Sequence, residues 1–123
     1  MGTYLHKEEW IRHGEGFRVS VSRHTSCEEN RWCVYAYVYE SHPLFNSITD
    51  GDYYNSIYED KLHGGCTYYR EHSGGCGGVV KQFGADYNHL GDSRFHSFST
   101  KEEAFEVFRD CDLLFDWLTE EGI

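Results

Sequence analysis

"FRVSVSRHTSCEENRWCVYAYVYE", residues Phe17–Glu40, decides the fold. Phe17, Val19 and Val21 alternate with Arg18, Ser20 and Ser22, the two-residue period of a half-buried strand. "TSCEENR" is a polar connection. A second strand, Trp32 to Glu40, is rich in branched and aromatic residues. One of its faces carries Trp32, Val34, Ala36 and Val38; the other carries Tyr35, Tyr37 and Tyr39. Two such segments predict an antiparallel hairpin. Because both faces of the second strand suit burial, that strand is expected to be central. The tyrosine run reads as one packed face.

Outward from this hairpin, Pro43 stops the second strand and biases His42 towards extended backbone. Residues 44–62 form a long connection with a turn at Asp50-Gly51 and a short helix expected over 56–62. "CTYYRE" and "VVKQFGADY" flank the glycine-rich turn "HSGGCGG", which predicts a second hairpin over 66–87. "SRFHSF" (93–98) reads as a short edge strand.

At the C-terminus, Ser99 and Thr100 are caps, with Glu102 and Glu103 as capping-box partners. Ala104, Phe105, Val107, Phe108, Cys111, Leu114, Phe115 and Leu118 recur at helical spacing, and Gly122 ends the run. The expected fold is α+β. One domain, residues 1–123, holds an antiparallel sheet of four to five strands, with a C-terminal amphipathic helix packed on one face.

Composition narrows function. The formal net charge is −10 and no basic patch stands out, which argues against direct nucleic-acid binding. No stretch has the length or apolarity of a membrane span, and no signal peptide is expected at the N-terminus. Five cysteines without a CxxC pair read as thiols in a cytoplasmic protein, with little support for a thiolate zinc site. The 10 Tyr and 8 Phe make much of the apolar content aromatic, which suits pockets and interfaces.

Two polar clusters stand apart: "LHGGCTYYR" (62–70) and "GADYNHLGD" (84–92). If 66–87 is a hairpin, its outer ends come together and the clusters share one end of the sheet. Gly64 and Gly65 offer backbone N–H groups to an anion. Asp86 and Asp92 accept from ribose hydroxyls or base amino groups, and His63 and His89 donate to phosphate or move protons. Thr67 adds a hydroxyl, and Tyr68 and Tyr87 offer stacking faces. These nine residues are the predicted ligand-binding set. If the protein is an enzyme, His63, Asp86, His89 and Asp92 are its catalytic candidates. No metal site is assigned, although a divalent ion on these oxygen and imidazole donors fits the same residue types. The structural reading stands beside both: Asp, Asn and Gly here are also ordinary turn formers.

"HPLF", "LHGGCTYYR" and "FGADYNHLGD" together resemble a pattern in small bacteriophage proteins. There an HPL-type segment precedes HGG-x-T-Y and G-x-D-x-x-H-x-G-D segments. The similarity covers about residues 32–95, the middle half of the chain. Its matching positions are His42, Pro43, His63, Gly64, Gly65, Thr67, Tyr68, Gly84, Asp86, His89, Gly91 and Asp92. The "HSGGCGG" turn departs from the pattern. The resemblance implies phage origin and a role in host takeover or in countering host defence.

The leading expectation is a phage anti-defence protein in the host cytoplasm. It would sequester a nucleotide-derived immune signal, in a homo-oligomer that builds pockets between protomers. One alternative is a metal-dependent phosphodiesterase or related hydrolase acting on such a nucleotide. Another is an acidic inhibitor of a host defence effector, of the anti-CRISPR type.

Overall fold

The computed structural model describes residues 7–26, 29–48, 58, 61–63, 65–74, 78–87 and 92–122. Five strands form one antiparallel sheet: β1 (Lys7–Gly14), β2 (Phe17–Ser26), β3 (Glu29–Tyr39), β4 (Tyr68–Gly74) and β5 (Gly78–Asp86). Their order is β1-β2-β3-β5-β4, so β3 is the central strand. One helix, α1 (Phe105–Glu121), packs on β2 and β3. None of the described helices is long and apolar enough to cross a membrane.

Strand alternation decides what lies under the helix. Phe17, Val19 and Val21 of β2, Trp32, Val34, Ala36 and Val38 of β3, and Phe83 and Ala85 of β5 are all buried. They form one cluster with Val107, Cys111, Leu114 and Leu118 of α1. The intervening residues turn to the other face, where Tyr35, Tyr37 and Tyr39 are half-buried. Burial raises the Tyr35 phenol above its ordinary range, and the adjacent Cys33 thiol adds to the effect.

The capping box at the start of the helix forms with Glu103. Thr100 Oγ1 accepts the Glu103 N–H at 3.2 Å, and Glu103 Oε1 accepts from the Ser99 N–H and both hydroxyls. These bonds hold the Glu103 carboxyl below its usual range. The Ala104 N–H already reaches the Thr100 carbonyl, so the first turn winds ahead of the regular helix. At the other end, His42 is buried beside the last turn. Its Nδ1 accepts the Leu44 N–H at 3.0 Å, so the neutral ring donates from Nε2 to the Leu118 carbonyl at 2.9 Å.

Four features differ from the sequence expectation. Strand β1 is additional; its covered face mixes Trp10 with Arg12, which lies over the Phe115 ring and pairs with Asp112. Such a mixture hides the period-2 signal. The predicted edge strand at 93–98 is instead a 3₁₀ turn, Ser93–Ser97. Phe95 and Phe98 are three apart, so the tighter helix sets both on one side, ring against ring at 5.6 Å. Phe105 is exposed, because its position lies off the stripe through Ala104, Val107, Cys111, Leu114 and Leu118. Both partners of the first hairpin also run further into "TSCEENR" than expected, with Ser26 paired to Glu29. The Asp50-Gly51 turn and most of the expected 56–62 helix lie outside the described residues.

Candidate functional site

The 66–87 hairpin forms, with Tyr68 opposite Gly84 and Gly74 opposite Gly78. Its open end brings the two polar clusters together. The Thr67 N–H donates to the Gly84 carbonyl at 2.9 Å, and the Asp86 N–H donates to Thr67 Oγ1 at 3.2 Å. His63, from the segment before β4, reaches Asp92, from the segment after β5. Its Nε2 lies 2.9 and 3.0 Å from the two carboxylate oxygens.

The sheet divides the predicted residues between two faces. Tyr87 continues the buried side of β5, and its ring stacks on His63 at 4.3 Å, nearly parallel. Phe95 packs edge-on to both rings. His63, Tyr87 and Asp92 therefore form one unit on the helix side. Asp86, one residue before Tyr87, points to the opposite face, where Cys33 is its cross-strand partner. Tyr68 is on that face too, with its ring 5.5 Å from Tyr35. Gly65 follows the Leu62–His63 turn at φ +90°, a conformation that favours glycine, and its N–H donates to the Leu62 carbonyl at 3.1 Å. Gly64, His89 and Gly91 lie outside the described residues.

Asp92 is 5% exposed. A carboxylate only accepts, so Asp92 holds the proton of neutral His63 on Nε2 and leaves acceptor character at Nδ1. Alongside, the Tyr87 hydroxyl donates to Asp110 Oδ2 of α1 at 2.6 Å. Burial raises the Tyr87 phenol above its ordinary range, and the hydrogen bond to the Asp110 carboxylate raises it further. The pair stitches the end of β5 to the helix.

A cleft of about 470 Å³ opens between this unit and α1. Lys61 and Arg109 supply its donors and Glu106 and Asp110 its acceptors, with the His63 imidazole beside them. Leu62, Leu113 and Trp117 form its apolar wall, with the Lys61 ammonium 5.6 Å from the Trp117 ring. Glu106 is held by Arg94 at 2.9 Å, and Asp110 by Tyr87. These bonds fix the acceptors at the rim.

Reasoning on the two clusters missed Lys61, Glu106, Arg109, Asp110 and Trp117. In α1, Arg109 and Asp110 lie three and four residues after Glu106, Leu113 lies four and three after them, and Trp117 four after Leu113. They form a single helical stripe beside the core stripe. The spacing was readable, whereas the direction in which the stripe looks depends on how the helix crosses the sheet.

Among the described residues, no group of three or more His, Cys, Asp and Glu side chains is placed to hold a metal ion. Cys33, Cys66 and Cys111 are thiols rather than half-cystines, and burial pushes Cys111 up to about 12. Cys27 and Cys76 lie outside the described residues. In comparisons with protein-family models, curated proteins and solved structures, the chain matches none of them.

Proposed function

We propose that the protein binds a small anionic molecule of nucleotide type in the cleft between His63 and α1. The observation that carries this reading is the convergence on one cleft of Lys61, Arg109 and an imidazole oriented by Asp92, beside the indole of Trp117. Cationic donors suit phosphate, an indole face suits a base, and fixed carboxylates suit ribose hydroxyls. The volume lies within the usual range of small-molecule pockets, about 300–1,000 Å³. A net charge of −10 makes the local donors the selective element, because the rest of the surface repels polyanions. In the setting that the sequence resemblance implies, the protein is phage-encoded, and the ligand is a nucleotide-derived signal of host immunity held away from its receptor.

The His63–Asp92 pair favours a second reading, hydrolysis of the same ligand. An imidazole whose tautomer is set by a buried carboxylate is the arrangement of a general base.

One experiment separates the readings. The protein is screened by thermal shift against mononucleotides, cyclic nucleotides and cyclic dinucleotides, with and without a chelator. A bound compound is then released by heat and weighed by mass spectrometry. Intact ligand supports sequestration and cleaved ligand supports the hydrolase. Saturating binding at a hundredfold excess over Kd stabilises by about 2.7 kcal/mol, a readily measured shift. No shift with any member of the panel overturns both readings.

A further inference from the structure

Strand β1 is one of the two edges of the sheet, and its eight-pair ladder with β2 runs without a bulge or a proline. The two-residue turn Glu15-Gly16 closes on the Gly14–Phe17 pair, with Gly16 at φ +82°. Antiparallel ladders alternate hydrogen-bonded and non-hydrogen-bonded pairs. Counting back from the turn, residues 12, 10 and 8 spend their backbone groups on β2. The N–H and C=O groups of Glu9, Ile11 and His13 therefore point outward, along the sheet plane. Ile11, at the middle of that row, is a large hydrophobic side chain that the fold leaves exposed, at 48%. Glu9 and His13 flank it on the same face.

We infer that β1 pairs with β1 of a second copy, antiparallel about a two-fold axis through Ile11, to give a continuous ten-stranded sheet. The register follows from chemistry. A two-fold perpendicular to the sheet keeps each side chain on its own face, so only residues of equal parity can lie opposite one another. Centring the axis on Ile11 sets Ile11 against the partner's Ile11, and Glu9 against the partner's His13 on both sides. On the helix face it sets Trp10 beside the partner's Arg12, a cation over an indole. About six backbone hydrogen bonds then form between edge groups already aimed outward. Moving the axis to Trp10 sets Glu9 against the partner's Ile11, a carboxylate beside an isoleucine, and loses that match. A groove of about 500 Å³, floored by Trp10, Val21, Phe108 and Cys111, runs along this edge. The partner's Arg12 would lie at its mouth. The side chains of β1 complement their own reversal, with the Glu9 carboxylate an acceptor opposite the His13 imidazole on both sides of the axis, which selects a second copy over an unrelated peptide.

Sedimentation analysis of the full chain tests this across a concentration series. A dimer is expected for the native sequence. Ile11→Lys sets two ammonium groups on the axis and is expected to give a monomer with unchanged helix content, because Ile11 faces away from the core, and with a Tm that no longer rises with concentration. Glu9→Lys and His13→Glu are each expected to weaken the dimer about tenfold or more. The double variant Glu9→Lys/His13→Glu is expected to restore it. A native chain that stays monomeric at every concentration overturns the inference. So does a dimer that is indifferent to Ile11→Lys, or one that is broken by Leu113→Glu on the outer face of α1.

Discussion

The ring of His42 and the carbonyl of Leu118 meet at 2.9 Å across 76 residues of chain. One imidazole joins the turn after β3 to the last turn of α1, where the Leu118 carbonyl also accepts the Gly122 N–H at 3.1 Å. His42 is buried and bonded at both nitrogens. The "HPLF" segment thus holds the end of the helix. His42→Ala removes a donor and an acceptor at a buried site, and is expected to cost about 1–3 kcal/mol. Urea unfolding should show a lower midpoint with an unchanged slope, together with a Tm lower by several degrees.

Tyr87 makes stability depend on alkaline pH. An unfolded tyrosine ionises near about pH 10, whereas the folded Tyr87 phenol is raised above that. The native state therefore binds its proton more tightly than the unfolded state does. Stability from this group is fully present below about pH 10 and falls as pH rises through the window above it. Tyr35 acts with the same sign, and so does Cys111, whose window runs from the free-thiol value up to about 12. Unfolding curves taken from pH 8 upwards (approximate ordinary phenol and thiol ranges) should decline with pH, and Tyr87→Phe should flatten the decline. The same variant should be less stable than the native protein at neutral pH, because Asp110 loses its 2.6 Å donor.

The division of the polar clusters by the sheet predicts which substitutions affect the cleft. His63→Ala, Lys61→Ala and Arg109→Ala are each expected to weaken ligand binding about tenfold, or about 1.4 kcal/mol, with the fold retained. Asp86→Ala should leave Kd unchanged, because that carboxylate points to the other face. Calorimetric titration with the ligand found by the thermal-shift screen checks all four. Equal losses for Asp86→Ala and His63→Ala would contradict the placement of the site on the helix side.

Gly84 gives a sharper structural prediction. A Cβ there would lie 2.3 Å from the Val34 carbonyl oxygen and 2.5 Å from Cδ1 of Tyr35. Backbone cannot yield as a flexible side chain does, so Gly84→Ala should destabilise by at least about 1–3 kcal/mol. Thermal melting of the variant, with Asp86→Ala as its neighbour control, measures this. The glycine of "FGADY" then serves strand packing between β3 and β5 rather than a ligand.

Where local period and local packing agreed, the fold was legible. Val19 and Val21, Val34 and Val38, and the stripe from Ala104 to Leu118 each repeat with the period of the element they form and face a single core. β1 was missed because Arg12 serves the helix side through the Phe115 ring and Asp112, which no local pattern signals. Ser93–Ser97 was misread because two phenylalanines three apart satisfy a 3₁₀ turn better than a strand. In the candidate site, the meeting of 62–70 with 84–92 followed from hairpin geometry. The assignment of Asp86 and Tyr87 to one pocket ignored that same geometry, since neighbours on a strand cannot share a face. The helical wall of the cleft required the tertiary fold.

The chain has three tryptophans, and the fold assigns them different surroundings. Trp10 and Trp32 stack 5.8 Å apart under the helix, with Trp32 fully buried. Trp117 stands at the mouth of the cleft beside Lys61. The molecule therefore contains two independent optical probes. Emission from the paired indoles reports whether the sheet and helix are assembled, and quenching of the lone indole reports whether anything has entered.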